Sequence, residues 1–207
     1  MTKKNNGEVF AMLKEAGILF AITLLTGLML GFIYEITKDP IRIQQEKAIQ
    51  EACAAVFKSA DNFVEYDGGI SSTLAGTLAE TSVEIGTIYS ANGADGSLLG
   101  YVVQSTCSEG YGGDISIFVG VTLDGTLNGI SFIEINETQG LGMDAELVLA
   151  PQLAGKQVDS IAYTKTGKTL DNEIDAISGA TITTEAVVNA VNGGLQVAKE
   201  LGGAANE

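Results

Sequence analysis

The stretch VEIGTIYSANGADGSLLGYVVQS, residues 83–105, decides the fold class. Val83 to Tyr89 and Leu98 to Ser105 are rich in β-branched and aromatic residues, and the turn dipeptides Asn92-Gly93 and Asp95-Gly96 lie between them. Such dipeptides tolerate the positive φ of tight hairpins, so the spacing predicts two antiparallel strands. A second pair follows on the same logic: Ile115, Ile117, Val119 and Val121 alternate with smaller residues, Asp124-Gly125 turns the chain, and Leu127, Ile130, Phe132 and Ile133 return it. Beyond these, Ala145 to Ala150 reads as a short helix stopped by Pro151, and Val158 to Tyr163 as a strand. Thr183 to Leu201 reads as a helix ended by Gly202-Gly203. Residues 61–82, rich in Gly, Ser and Thr, read as loop with room for one short strand. The fold class is therefore α+β: an antiparallel sheet with a few helices.

Towards the N-terminus the pattern changes. Ala16 to Tyr34, AGILFAITLLTGLMLGFIY, is nineteen uncharged and mostly apolar residues, which as a helix nearly spans a hydrocarbon core. A cleaved signal peptide would have a shorter apolar part and a small-x-small cleavage site, whereas Tyr34-Glu35-Ile36 follows here. Asp39-Pro40 then reads as an N-cap and first-turn proline opening an amphipathic helix to about Lys58. Ile49, Ala52, Cys53, Val56 and Phe57 share one face of it, to be docked on the domain or on a neighbouring subunit. The expected organisation is an arm at 1–15, a transmembrane helix at 16–34, an amphipathic linker helix at 35–60 and a domain at 61–207. Flanking cations tie in number, so orientation rests on length: a short arm stays cytoplasmic while a long acidic body is translocated. The expected location is the cell membrane, single-pass, with the main domain extracytoplasmic.

Composition excludes several classes of function. The 207 residues carry 11 Lys and Arg against 26 Asp and Glu, a formal charge of −15 that repels a phosphate backbone and rules out nucleic acid as partner. Up to Tyr34 three lysines face two glutamates, so residues 35–207 hold a charge of −16. Between Ser59 and Gly155 there are thirteen carboxylates and no Lys or Arg. Histidine is absent, which removes the commonest general base and the commonest metal ligand, so no catalytic acid or base and no metal site are expected. Two cysteines, Cys53 and Cys107, cannot hold an iron–sulfur cluster alone; a single disulfide between them stays open.

Three constellations carry candidate chemistry. Residues 162–169, AYTKTGKT, miss a phosphate-binding loop only by its first glycine, but Leu170 to Asp175 is acidic where a helix should open, so a solvated lysine-bearing turn is the better reading. The second is Asp175-Ala176-Ile177-Ser178-Gly179-Ala180-Thr181, directly before the last helix. The string Ser-Gly-Ala-Thr arises by chance in roughly one such chain in a few hundred. A hydroxyl there sits among unpaired N–H groups at the positive end of a helix dipole, which suits a phosphate close to, or bonded to, Thr181. The third is Gly110-Tyr111-Gly112-Gly113 before one strand, with Glu137-Thr138-Gln139-Gly140-Leu141-Gly142 after the next. Separately, these are ordinary turns.

Together they resemble a known family. Asp-x-x-Ser-Gly-Ala-Thr is similar to the signature of FMN-binding domains whose last Thr carries FMN through a phosphoester, as in the RnfG component of Rnf ion-translocating oxidoreductase complexes and the NqrC component of the Na⁺-translocating NADH:quinone reductase. The 110–113 and 137–142 stretches resemble those of RnfG in composition and spacing, with Gln139 where Pro is usual and Asn136 where His is common. The resemblance implies covalent FMN on Thr181, with Ser178, Gly179, Ala180, Asp175, Gly110, Tyr111, Gly112, Gly113, Glu137, Thr138, Gly140, Leu141 and Gly142 around it. It implies an electron-carrying, membrane-anchored flavoprotein of a ferredoxin–NAD⁺ oxidoreductase coupled to Na⁺ or H⁺ transport. Implied partners are other membrane subunits, including a second flavinylated subunit and iron–sulfur subunits, and a flavin transferase that uses FAD. A quinone-reductase component, a stand-alone extracytoplasmic flavin relay and a non-redox anchored binding domain are the alternatives.

Overall fold

A computed structural model describes residues 6–204. These fall into two compact units that divide between Ala48 and Ile49. The first unit is helix, the larger part of α1 (Asn6–Val56), and the apolar run 16–34 lies wholly within it with every side chain exposed. That fits a single-pass membrane anchor. The expected break at Asp39-Pro40 does not occur: Pro40 sits inside a continuous helix. The ring forfeits one backbone hydrogen bond, but the ladder closes on both sides of it, which a proline kink permits.

The second unit begins with the last two turns of α1. Cys53 and Phe57 are fully buried and Val56 nearly so, with Ile49 and Ala52 packed beside them, so this face docks on the domain as expected. These turns belong to the domain core rather than to a linker ahead of it. The sheet is a meander in the order β1 (Asn62–Glu65), β2 (Val83–Asn92), β3 (Leu98–Cys107), β4 (Ile115–Thr122), β5 (Thr126–Glu134) and β6 (Lys156–Gln157), every pair antiparallel. Both expected hairpins form. In the first turn, Gly93 N–H donates to Ser97 O at 2.9 Å, and Asp95 Oδ1 accepts from Ser97 N–H at 3.0 Å.

Because strand side chains alternate, β3 serves two cores. Tyr101, Val103 and Cys107 face the main one with Ile117, Val119 and Val121 of β4, while Val102 and Phe118 face the end of α1. The main core is roofed by α4 (Thr181–Ala204), which buries Val187, Val191 and Leu195 against the sheet. Gly194 lets it approach: a side chain there would bring its Cβ within 2.6 Å of Val119 Cβ. The two cysteines lie on opposite faces of the sheet and are free thiols, so no disulfide joins them. Burial pushes the Cys53 thiol up to about 12 and raises Cys107 as well, leaving both inert near neutrality.

Three local expectations need correction. Residues 72–80, expected as loop, form α2 (Ser72–Glu80), capped by Ser71 Oγ accepting from Leu74 N–H at 3.2 Å. The helix after β5 does not stop at Pro151: α3 (Ala145–Leu153) contains it in its last turn, forgoing one backbone hydrogen bond there. The strand expected over 158–163 is short and shifted, β7 (Ala162–Thr164), and it pairs in parallel with β8 (Glu173–Asp175). The last helix starts two residues earlier than expected, at Thr181, and passes through Gly202 to Ala204. Residues 1–5 of the expected arm and the last three of the expected domain lie outside the described residues.

Candidate functional site

The second and third constellations, far apart in sequence, meet on one cleft of about 500 Å³. Its lining comes from Tyr111 of the β3–β4 loop, from Glu137, Thr138, Leu141 and Gly142 after β5, and from Gly179 to Thr183 at the start of α4. The volume falls in the range of small-molecule sites, about 300–1,000 Å³.

The first two walls are tied by one carboxylate. Glu137 Oε1 accepts the N–H of Tyr111 at 2.8 Å and that of Gly112 at 3.3 Å. Gly112 is required there, since a Cβ would collide with the Asn136 carbonyl. Gly110, Gly112 and Gly113 therefore form backbone behind Tyr111 and do not line the cleft. The loop after β5 folds on Thr138, whose carbonyl accepts the N–H of Leu141 and of Met143, both at 3.2 Å. This turn leads through a 3-10 turn (Gly142–Asp144) directly into α3. Gly140, also expected in the site, has φ of +75° in that turn and lies off the lining.

The third wall is held from below. Thr184, fully buried, accepts the Ile177 N–H at 3.1 Å and donates to the Ala180 carbonyl at 2.9 Å, which pins the turn preceding Thr181. Gly179 adopts φ of +80°, and a Cβ on it would approach Leu141 Cδ2 at 3.1 Å. The second and third walls touch at Gly142, where a Cβ would lie 2.7 Å from both Glu137 Cβ and Thr183 Oγ1. Ser178 is exposed on the turn outside the lining.

The helix start itself is uncapped. Ala180 stands where an oxygen-bearing residue is preferred, and the N–H groups of Thr181, Ile182 and Thr183 find no acceptor among the described residues. The half-buried Thr181 thus places its hydroxyl in the first turn beside free donors and the positive end of a 24-residue helix. An ester-linked phosphate would supply the missing acceptor oxygens, and Tyr111, Leu141 and Ile182 offer apolar cover for a planar ring. The cleft fits the group that the motif implies.

Asp175 is the exception among the expected residues. It lies off the cleft, its carboxylate accepting the Lys168 N–H at 2.8 Å. Its backbone is clamped by Gln152 of α3, whose Oε1 accepts from Asp175 N–H at 2.8 Å and whose Nε2 donates to Asp175 O at 3.2 Å. Gln152 thereby joins α3, the continuation of the second wall, to β8, which leads into the third. Ile182, Thr183, Thr184 and Gln152 do not stand out in the sequence. The run of hydroxyls at 181, 183 and 184 across a helix start is the available signal for two of them. The near phosphate-binding loop is a turn, as expected: the next element after Lys168 is strand β8 rather than a helix, and the N–H groups of Thr169 and Leu170 donate to Glu173 Oε2 at 2.8 and 3.1 Å.

Comparison with known proteins places every lining residue inside one match. Residues 110–196 match the FMN-binding domain family, and residues 1–56 match the RnfG N-terminal region. The chain is 30% identical over 190 residues to the G component of the proton-translocating ferredoxin:NAD(+) oxidoreductase complex of Clostridium ljungdahlii, covering 91% of this chain and 90% of that one. It is 38% identical over 110 residues to the G component of the Na(+)-translocating ferredoxin:NAD(+) oxidoreductase complex of Acetobacterium woodii, a match that spans 52% of this chain and about half, 53%, of that relative. Among solved structures, NqrC of Shewanella oneidensis aligns with a TM-score of 0.48 at 23% identity, over 57% of this chain and 61% of that one.

Proposed function

Because the chain belongs to the RnfG family of ion-translocating oxidoreductase components, we propose that it is the flavin-carrying subunit of such a complex, holding FMN in the cleft through a phosphoester on Thr181. The observation that carries this reading is the meeting of three distant segments around an uncapped helix start whose first residue is a threonine. In this reading the N–H groups of Thr181 to Thr183 hold phosphate oxygens, and Leu141, Tyr111 and Ile182 bound the ring. Thr138 and Thr183 offer hydroxyls at its polar edge. Glu137 acts on the Tyr111 loop rather than on the flavin, fixing the position of Tyr111. When bound, FMN supplies the redox chemistry, exchanging electrons with neighbouring carriers. The complex then couples electron flow between ferredoxin and NAD⁺ to transport of Na⁺ or H⁺.

The arm at 1–15 is cytoplasmic, the helix at 16–34 crosses the membrane, and the domain lies outside. A covalent bond suits that side, because a dissociated flavin would be diluted beyond recovery. A separate transferase installs the flavin from FAD: the Thr181 Oγ–phosphorus bond forms, the pyrophosphate bond breaks, AMP leaves and the hydroxyl proton passes to solvent. Partners are the other membrane subunits, including a second flavinylated subunit and iron–sulfur subunits. Flavin fluorescence of the full chain in a denaturing gel tests the attachment: the native chain should fluoresce and Thr181→Val should not, while both express equally. Equal fluorescence in both would refute Thr181 as the site. Protease added outside wall-free cells should cleave beyond Glu35; complete protection would invert the topology.

A further inference from the structure

The structure assigns Gln152 as a positioning residue for the attachment of flavin to Thr181: its side chain fixes the gap between the wall bearing Leu141 and the wall bearing Thr181. The inference rests on the reading of the cleft as the flavin site. The second wall, Glu137 to Gly142, runs through the 3-10 turn directly into α3, and Gln152 lies in the last turn of that helix. The third wall is reached from β8, whose last residue, Asp175, is separated from Thr181 by residues 176–180 alone. Strand β8 has a neighbouring strand, β7, on one side only. The Ala176 N–H bonds to the Thr164 carbonyl of β7 at 2.8 Å, so by the alternation of a strand the N–H and C=O of Asp175 point the other way. Gln152 stands there in place of a strand, accepting from that N–H at 2.8 Å and donating to that C=O at 3.2 Å. Hydrogen bonds are directional, so β8 can neither slide nor turn against α3 without breaking this pair.

A second clamp of the same chemistry supplies the control. Asn192 of α4 holds Ile161, just ahead of β7, accepting from its N–H at 2.6 Å and donating to its C=O at 2.9 Å. That clamp ties the β7–β8 ribbon to the helix that already bears Thr181, so it lies within one wall. The Gln152 clamp joins two. In the attachment step the Thr181 Oγ–phosphorus bond forms, the pyrophosphate bond of FAD breaks, AMP leaves and the hydroxyl proton passes to solvent. The flavin must lie between Leu141 and Thr181 as that bond forms. Group transfer is sensitive to ångström-scale misplacement of the reacting oxygen, so slack between these walls lowers the rate of transfer while the exposed turn at Ser178 and Gly179 still meets the transferase.

The test follows gel fluorescence over time when the flavin-free full chain, in detergent, is given FAD and the transferase, with rates expressed per folded chain from denaturant unfolding of each variant. Gln152→Met keeps the length of the side chain and removes both bonds; its saturating rate should fall on the order of tenfold, with the half-saturating concentration of chain unchanged. Asn192→Leu removes the equivalent pair within one wall and should load at the wild-type rate per folded chain. Gln152→Glu keeps the acceptor for the Asp175 N–H and loses the donor, so its rate should fall between those of wild type and Gln152→Met. A wild-type rate in Gln152→Met, an equal loss in Asn192→Leu, or a loss confined to the half-saturating concentration overturns the proposal. Should Gln152→Met fail to fold, Gln152→Glu decides: a lowered saturating rate supports the proposal and a wild-type rate overturns it. A wild-type chain that takes up no flavin refutes the cleft reading and this inference with it, whereas a loaded wild type beside an equally loaded Gln152→Met refutes the positioning role alone.

Discussion

Two loops of this domain offer backbone N–H groups where an anion could sit, and they differ in who answers them. In the turn after β7, the N–H groups of Lys168, Thr169 and Leu170 are taken by the protein's own carboxylates, Asp175 and Glu173. In the turn before α4, the N–H groups of Thr181, Ile182 and Thr183 are left without acceptors among the described residues. The first loop carries the lysines and looks like a phosphate site; the second carries no cation and is the better one. Donors decide this, because a phosphate needs directed N–H groups that nothing else has filled.

The largest way to break the contrast is Gly179→Val. A β-branched residue at φ of +80° against Leu141 is strained by about 1–3 kcal/mol and shifts the turn that presents Thr181. Flavin loading, read as gel fluorescence per chain, should fall by about fivefold or more, since about 1.4 kcal/mol in the presenting conformation is a factor of ten. Asp175→Ala tests the other loop. It removes the acceptor of one backbone N–H and should cost about 1–2 kcal/mol in chemical denaturation while leaving the flavin attached. Loss of the flavin without loss of stability would mean that Asp175 serves the attachment directly.

Much of this is legible in the sequence, and the exceptions have physical causes. The hairpins can be read because Asn-Gly and Asp-Gly turns separate alternating strands, a signal contained within about twenty residues. The site segments read as turns, and the resemblance joins them, but nothing local says that Glu137 holds the Tyr111 loop or that Gln152 clamps Asp175. Those bonds span 26 and 23 residues and exist only once the sheet has formed. Helix α2 is hidden by Gly76 and its threonines, all poor helix formers; its Leu74 and Leu78, four apart and turned to the core, outweigh them. Both prolines read as boundaries, yet each sits inside a helix that continues past it at the loss of one backbone hydrogen bond. The signature groups Asp175 with the cofactor because it names residues without saying which of them support the others.

Smaller effects sharpen the comparison. Ala180→Ser gives the start of α4 the cap it lacks, so the flavin-free chain should gain about 0.5–1 kcal/mol in denaturant unfolding and load flavin more slowly. No gain would mean that the free N–H groups already have partners. On the opposite loop, the N–H groups of Thr169 and then Leu170 hold the Glu173 carboxyl below its ordinary value of 4.5. A depressed value in the folded chain contributes order that is full above the ordinary value and lost as pH falls through the lowered one. The protection of the Thr169 amide, its exchange relative to an unstructured chain at the same pH, should therefore be lost as pH falls below the ordinary value of 4.5 and through the lowered one in the wild type. In Glu173→Gln that acid-dependent step should vanish.

The most direct measurement is the mass of the peptide containing Thr181, cut from the native chain purified from its own membranes. It should exceed the sequence mass by one FMN less one water, with fragmentation placing the addition on Thr181. An unmodified peptide from a native, assembled chain, or an addition on Ser178 or Thr183 instead, would contradict the assignment.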